Sequence, residues 1–148
     1  MNINEIQDEI VEEFSDFDDW MDKYQYLIDM GNDLEALDEK YKNEQNLIDG
    51  CQSRVWLQCD VVKETRSQGD KESSLLHFRA DSDALIVKGI VALLLRVVDN
   101  QPAKDIRDAD FYFIERIGLR EHLSPTRSNG LLAMVKQVKA YAIAYAEA

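Results

Sequence analysis

The chain has 148 residues, of which 45% are hydrophobic and 31% are charged, a composition typical of one globular domain, here residues 1–148, with a sizeable core. Its formal net charge of −12 argues against nucleic-acid binding, because backbone phosphates repel an acidic surface. Two cysteines are too few for a disulfide framework, which indicates a reducing, cytoplasmic setting.

The negative charge is concentrated at the start of the chain. Residues 1–44 contain 15 Asp and Glu against 3 Lys and Arg, whereas residues 45–148 contain 14 of each. Such an acidic face can steer a basic protein partner, or it can be a solvated helix face that aids solubility. The N-terminus is acidic where a signal peptide would be basic and then apolar, so we expect no export.

The first part of the chain predicts two amphipathic helices, because large apolar side chains recur at steps of three and four. These side chains are Ile3, Ile6, Ile10, Phe14 and Phe17 in the first helix, and Trp20, Tyr24, Leu27 and Ile28 in the second. Ser15 and Asp18 resemble a capping box for the second helix, and Gly31 is expected to end it. Residues 32–44 predict an irregular connection.

Two stretches alternate between apolar and polar residues, which predicts an antiparallel hairpin. The strands cover residues 55–62 and 75–80. Because a two-stranded hairpin is marginally stable, we expect a third strand, for which the segment leading to Gly50 is a candidate. Cys59 lies on the apolar side of its strand and is expected to pack in the core. His77 lies on the polar side and is expected to face solvent.

The remainder of the chain predicts helices. The run Asp81-Ser82-Asp83 offers side-chain acceptors to the start of an apolar helix over residues 84–98. This run is shorter than the roughly 20 residues that span a bilayer, so we expect a buried helix and no membrane span. Gly89 within it indicates close packing against backbone, and the loop around Cys51 is the expected neighbour. After it we expect a short helix around residues 103–107 with Pro102 at its first turn, and further helical turns up to Gly118. A turn-rich link over residues 123–130 and a last helix from Leu131 follow.

Cys51 follows Gly50 and precedes small and polar residues, a pattern that places a thiol on an exposed bend. The apolar pairs Leu47-Ile48 and Val55-Trp56 on either side would anchor the two ends of this loop in the core. A lone intracellular cysteine is also often a small buried hydrophobic residue, so the pattern alone leaves both interpretations open.

The other residues of the chain limit the kinds of reaction that Cys51 could carry out. Two cysteines and two histidines without metal-ligand spacing argue against zinc or an iron–sulfur cluster. A cysteine hydrolase would need a histidine beside the thiol, and His77 or His122 could serve only if the fold happened to bring it there. The sequence contains no phosphate-binding loop motif. Sulfur exchange needs only a presented thiol, activated by a partner's site or by a nearby cation such as Arg54 or Arg127.

Three blocks of the sequence, in this order, resemble the SufE family of cysteine-desulfuration proteins. They are Gly50-Cys51-Gln52-Ser53 followed by Val55-Trp56, Asp81-Ser82-Asp83-Ala84 leading to Ile86-Val87-Lys88-Gly89, and Leu123-Ser124-Pro125-Thr126-Arg127-Ser128 with Gly130-Leu131. The resemblance extends from the first helix to the last. It implies an α+β fold with a small antiparallel sheet of about three strands packed against helices, related to the iron–sulfur scaffold proteins.

The resemblance also implies a function. Cys51 would accept sulfur as a persulfide from a cysteine desulfurase, whose pyridoxal phosphate belongs to the partner, and would relay it to downstream iron–sulfur assembly proteins. Gly50, Gln52, Ser53 and Arg127 would support the loop or contact the partner, and the chain would hold no metal or cofactor of its own. A cluster-assembly scaffold and a non-catalytic desulfurase-binding module are the alternatives, and the sequence leaves open whether the chain forms a homodimer.

Overall fold

The protein is an α+β fold, as predicted. The computed structural model describes residues 2–48, 54–64, 73–123 and 125–146. Its helices are α1 (Ile3–Ser15), α2 (Trp20–Asn32), α3 (Leu85–Val98), α4 (Ala103–Asp108), α5 (Phe113–Arg116), α6 (Leu119–His122) and α7 (Pro125–Ala146), with a 3-10 turn at Glu39–Tyr41. Its strands are β1 (Val55–Glu64), β2 (Ser73–Ser82) and β3 (Gln101–Pro102).

The sheet has the order β1-β2-β3 and is antiparallel throughout. β1 and β2 pair along their whole length, from Val55 opposite Ser82 to Glu64 opposite Ser73, which confirms the predicted hairpin. Their inward-facing side chains pack on α3, which lies across the sheet and supplies the most buried part of the core.

The third strand does not come from the segment leading to Gly50, so that prediction was wrong. Asn100 adopts a left-handed backbone conformation with φ of 60° after α3, and this turn returns residues 101–102 to β2. A strand of two residues shows no alternation, which is why the sequence pattern missed it. The segment leading to Gly50 instead forms one isolated antiparallel bridge, Leu47 to Trp56, on the outer edge of β1.

The helix starts differ from the predicted ones. α1 begins with a capping box in which the Glu5 amide donates to Asn2 Oδ1 at 2.8 Å and the Asn2 amide donates to Glu5 Oε1 at 3.1 Å. The predicted box of Ser15 and Asp18 does not form. Asp19 caps α2 by accepting from the Met21 amide at 2.8 Å, because it directly precedes the first helical residue.

Two glycines let α2 and α3 approach backbone to backbone. A Cβ on Gly89 would lie 2.1 Å from the Leu27 carbonyl oxygen, and a Cβ on Gly31 would lie 2.8 Å from the Gly89 nitrogen. The close packing predicted for Gly89 is present, but its neighbour is α2 rather than the loop around Cys51. Gly31 lies within α2 and does not end it, since its missing side chain serves this contact.

The run Asp81-Ser82-Asp83 does not cap α3. The helix begins at Leu85, and its N-cap residue Ala84 makes no side-chain capping bond, because Asp81 and Ser82 belong to β2. α7 starts earlier than predicted, at Pro125, a residue favoured in the first turn because its missing N–H has no partner there. Within the described ranges, no helix is long and apolar enough to cross a membrane.

Candidate functional site

The residues predicted to form the site are Gly50, Cys51, Gln52 and Ser53, and all four lie outside the described residues. Arg127 belongs by its backbone to the first turn of α7, and its side chain is likewise outside the described part. Their predicted roles therefore stay predictions. The structure does describe the two ends of the loop, the residues beneath them and the turn beside them.

The two ends of the loop are paired with each other. The Ile48 amide donates to the Val55 carbonyl at 2.9 Å, and the Leu57 amide donates to the Asn46 carbonyl at 2.8 Å, on either side of the Leu47 to Trp56 bridge. This pairing fixes the chain where it enters the segment 49–53 and where it leaves it. The sequence prediction that the apolar pairs anchor both ends is confirmed for Ile48 and Val55, which are 7% and 1% exposed.

Arg54, the first described residue after the loop, is bound to the turn that precedes α3. Its amide donates to Asp83 Oδ1 at 3.1 Å, and its carbonyl accepts from the Asp83 amide at 3.3 Å and from Ser82 Oγ at 2.9 Å. Ser82 Oγ also accepts from the Ala84 amide at 3.3 Å. The acceptors that the sequence assigned to α3 thus hold the end of the loop, and they place it beside the start of α3.

A charged cluster lies next to this end of the sheet. Asp81, opposite Trp56 in the register, is 8% exposed and lies 3.3 Å from Lys42 Nζ and 3.3 Å from Lys88 Nζ. Burial opposes ionisation of Asp81, but the Ser82 amide and the two ammonium groups outweigh it and lower the pKa of this carboxyl. Lys42 Nζ also lies 3.3 Å from Glu39 Oε1, and Asp83 accepts from the Arg54 amide, so the positive and negative charges of this region are balanced.

The sequence analysis missed this cluster. A lysine in a helix that is apolar almost all round is a signal for it, because a charge close to a core needs a partner. Lys88 is such a residue. Lys42 carries no comparable signal, because it lies in a charged, irregular connection where a lysine is ordinary.

An apolar cavity of about 10 Å³ lies beneath the two ends of the loop. It is lined by Ile48 and by apolar residues of β1, β2, α3 and α7, namely Val55, Leu57, Ala80, Val91, Leu94, Leu95 and Met134. A space this small and this apolar is at the lower limit for one water molecule and offers it no polar partner. The loop therefore connects two ends that stand over a dry, incompletely packed part of the core.

Cys59 is a core residue, as predicted. Its side chain faces the interior and the residue is 7% exposed. Burial, followed by the negative charges of Asp60 and Asp99, raises the pKa of the Cys59 thiol to about 12. Because a nucleophilic thiol must be ionised and reachable, Cys59 fits neither requirement.

The two histidines are held by other parts of the fold. His77 is half-buried, and its Nδ1 lies 2.8 Å from Asp99 Oδ1, so the prediction that it simply faces solvent was wrong. The His122 ring stacks on Trp20 at 3.9 Å between centroids, and its Nδ1 lies 3.0 Å from the Gly118 carbonyl. Across the described stretches, no three His, Cys, Asp or Glu side chains come together as a metal site.

Comparison with known proteins finds a matching family model, similar sequences and a similar solved structure. Residues 8–142 match the family model described as "SufE: Fe-S metabolism associated domain". An uncharacterized SufE-like protein of Rhizobium etli is 41% identical over 133 residues, which cover 89% of this chain and 86% of that protein. One of Rhizobium meliloti is 39% identical over 136 residues, covering 91% and 93%. The solution structure of a hypothetical protein from Thermus thermophilus superposes with a TM-score of 0.71 at 16% identity, over 97% of each chain, and shares the fold.

Proposed function

The chain belongs to the SufE family, which is associated with Fe–S metabolism, and from this membership we propose that Cys51 accepts persulfide sulfur from a cysteine desulfurase. The desulfurase contributes pyridoxal phosphate and generates the persulfide on its own cysteine. This chain carries the sulfur and passes it to downstream proteins of iron–sulfur cluster assembly. In this role it stimulates the desulfurase by removing its product and has no independent turnover.

The transfer is a thiol exchange that needs no external oxidant or reductant. The Cys51 thiol gives up its proton, and the thiolate attacks the outer sulfur of the partner's persulfide. The bond between the partner's two sulfur atoms breaks, and the partner's cysteine leaves as a thiolate that takes up a proton. Cys51 then carries the persulfide, so one sulfur atom has moved and each protein still holds one acidic hydrogen on sulfur.

The observation that carries this proposal is the pairing of the two loop ends at Ile48 and Val55. Cys51 is the middle residue of the connection 49–53, so three residues of chain, at most roughly 11 Å, separate it from each paired end. A short connection between two fixed ends suits a thiol that has to enter a partner's site and return.

The surroundings of the loop ends support activation of the thiol. The start of α3 carries the positive end of the helix dipole, and no described side chain caps it. Near this loop end the Asp81 carboxylate lies between two lysines, and the Asp83 carboxylate accepts from the Arg54 amide. The positive end of the helix dipole favours a thiolate and a persulfide anion over their protonated forms. The apolar cavity beneath the loop ends offers a dry surface against which the sulfur can be sheltered between transfers.

The proposal is tested by intact mass after the chain is mixed with a cysteine desulfurase and free cysteine. The wild type is expected to gain one sulfur atom that a reductant removes, and Cys51→Ser is expected to gain none. Cys59→Ala is the matched control, because it removes the buried thiol and should gain the adduct as the wild type does. An adduct on Cys51→Ser, or its absence from Cys59→Ala together with the wild type, would overturn the assignment.

A further inference from the structure

The chain enters the loop around Cys51 along a weakly paired edge of the sheet. Leu47 and Trp56 form one isolated bridge, and two backbone hydrogen bonds flank it. A two-stranded pairing as short as this is marginally stable by itself. Other contacts must therefore fix the residues that lead into the segment 49–53.

Asn46 joins this edge to the turn that precedes it. Its carbonyl accepts from the Leu57 amide of β1 at 2.8 Å, and its side-chain nitrogen Nδ2 donates to the Tyr41 carbonyl at 2.8 Å. Its own amide donates to Asn43 Oδ1 at 3.0 Å. Asn46 is half-buried and thus bonds in two directions, with its backbone to the sheet and with its side chain to the turn.

The Tyr41 end of this connection is itself fixed to the sheet. Lys42, the next residue, places Nζ 3.3 Å from Asp81 Oδ2 of β2 and 5.6 Å from the centroid of the Trp56 ring of β1. The hydrogen bond to the Tyr41 carbonyl therefore ties Asn46 to a segment that is held against both long strands.

This bond depends on the side-chain amide of Asn46. The Tyr41 carbonyl is an acceptor and needs a donor, which the NH₂ group of asparagine supplies. Aspartate has nearly the same shape, but its ionised carboxylate only accepts, so it leaves the Tyr41 carbonyl without this donor. Asn46→Asp is therefore an almost isosteric change that removes the connection.

The two ends of the loop are held by separate contacts that meet at the turn 81–83. Arg54 holds the exit through its hydrogen bonds to this turn. Asn46 holds the entry, since its partner segment contacts the same turn through Lys42. With both ends fixed, Cys51 stays within roughly 11 Å of each end. With only the exit fixed, one of these limits is lost and the thiol samples a larger volume.

We propose that Asn46 is a positioning residue for the transfer of sulfur to Cys51. This role rests on the proposed function, because it concerns how the thiol is presented to the desulfurase. Asn46 acts through the backbone of the loop entry, which it keeps against β1. A confined nucleophile meets the reacting atom more often than one that samples a larger volume, so the gain is in the rate of transfer within the complex rather than in binding.

The test measures one transfer step. A cysteine desulfurase is loaded with persulfide by free cysteine and mixed with rising concentrations of the full chain, and intact mass follows the gain of one sulfur atom. Asn46→Asp and the uncharged Asn46→Ala should lower the saturating rate several-fold, while the half-saturating concentration changes by less than about twofold. The Ile48 and Leu57 amides should exchange hydrogen faster in both variants than in the wild type.

Asn43→Asp is the matched control. It makes the same chemical change three residues earlier, where Asn43 Nδ2 donates to the Lys40 carbonyl at 3.1 Å in an exposed turn. The new carboxylate can still accept from the Asn46 amide, as Asn43 Oδ1 does. This variant should transfer sulfur as the wild type does. Urea unfolding gives the folded fraction of every variant, so that rates are compared per folded molecule.

The outcomes distinguish the role of Asn46 from the function on which it rests. If the wild type gains no sulfur atom, the proposed function fails and the positioning role fails with it. If the wild type gains sulfur and both Asn46 variants reach the same saturating rate per folded molecule, Asn46 is a structural residue only, and the proposed function stands without it. An equal loss of rate in Asn43→Asp would also overturn the positioning role, since the added charge would then account for the effect.

Discussion

Arg54 and Asp83 are joined by two hydrogen bonds, one to the Asp83 carboxylate and one between their backbones. The Arg54 amide donates to Asp83 Oδ1 at 3.1 Å, and the Asp83 amide donates to the Arg54 carbonyl at 3.3 Å. This pair joins the end of the loop that carries Cys51 to the turn before α3. It makes the carboxylate of Asp83 a structural support of the proposed acceptor loop rather than a helix cap.

Removing that carboxylate should loosen this end of the loop. Asp83→Ala leaves the Arg54 amide without its acceptor, so we expect a loss of about 1 kcal/mol in the free energy of unfolding and faster hydrogen exchange at that amide. Asp83→Asn keeps an acceptor oxygen and should retain most of the protection. Urea unfolding and amide exchange of the three proteins check this, and equal exchange rates in all three would contradict it.

The contact between Gly31 and Gly89 should make α2 and α3 intolerant of a methyl group. Gly89→Ala gains about 1 kcal/mol of helix propensity but places a Cβ 2.1 Å from the Leu27 carbonyl oxygen, so we expect a net loss of roughly 2 to 4 kcal/mol on unfolding. Gly31→Ala should also destabilise the protein. Because each change separates the same two helices, the double variant should lose less than the sum of the single losses. Additive losses in urea unfolding would show that the two glycines act independently.

The sequence predicted the elements whose side chains alternate or recur with a regular period. The hairpin of β1 and β2, the helix α3 and the burial of Cys59 follow from local patterning that the tertiary structure preserves. The position of β3 could not be predicted from the sequence, because a strand of two residues shows no alternating pattern and depends on the left-handed turn at Asn100. The sequence also could not identify α2 as the element packed against Gly89. A glycine within a helix indicates a close backbone contact but not which element makes it.

The same limit applies to the site. Asp81-Ser82-Asp83 has the residue types of a helix cap, and the pattern correctly placed a helix after it. Tertiary contacts then used the acceptors differently, for two lysines and for Arg54. The partners of these acceptors depend on which distant segments pack together, and the local sequence does not show this.

The cluster around Asp81 should make stability depend on pH. The pKa of Asp81 is lowered in the folded protein, so its contribution is fully present above the ordinary aspartate value of about 3.9 and is lost as the pH falls below it. We therefore expect the wild type to exceed Asp81→Asn in free energy of unfolding at about pH 7, with a smaller difference at about pH 3. Asp33→Asn, at an exposed residue outside the cluster, controls for the loss of one negative charge. A difference between wild type and Asp81→Asn that is the same at both pH values would contradict the expectation.

The two thiols should differ sharply in reactivity. Burial and two nearby carboxylates raise the pKa of the Cys59 thiol to about 12, so at about pH 8 on the order of one molecule in ten thousand carries the thiolate there. We expect folded Cys51→Ser to resist alkylation by iodoacetamide at this pH and to react at an ordinary rate once urea exposes Cys59. Folded Cys59→Ala should be alkylated as fast as the wild type, because its remaining thiol is the proposed acceptor. Mass spectrometry over time measures all three rates. If folded Cys51→Ser reacted as fast as the wild type, Cys59 would be reachable without unfolding and would itself have to be considered as a sulfur acceptor.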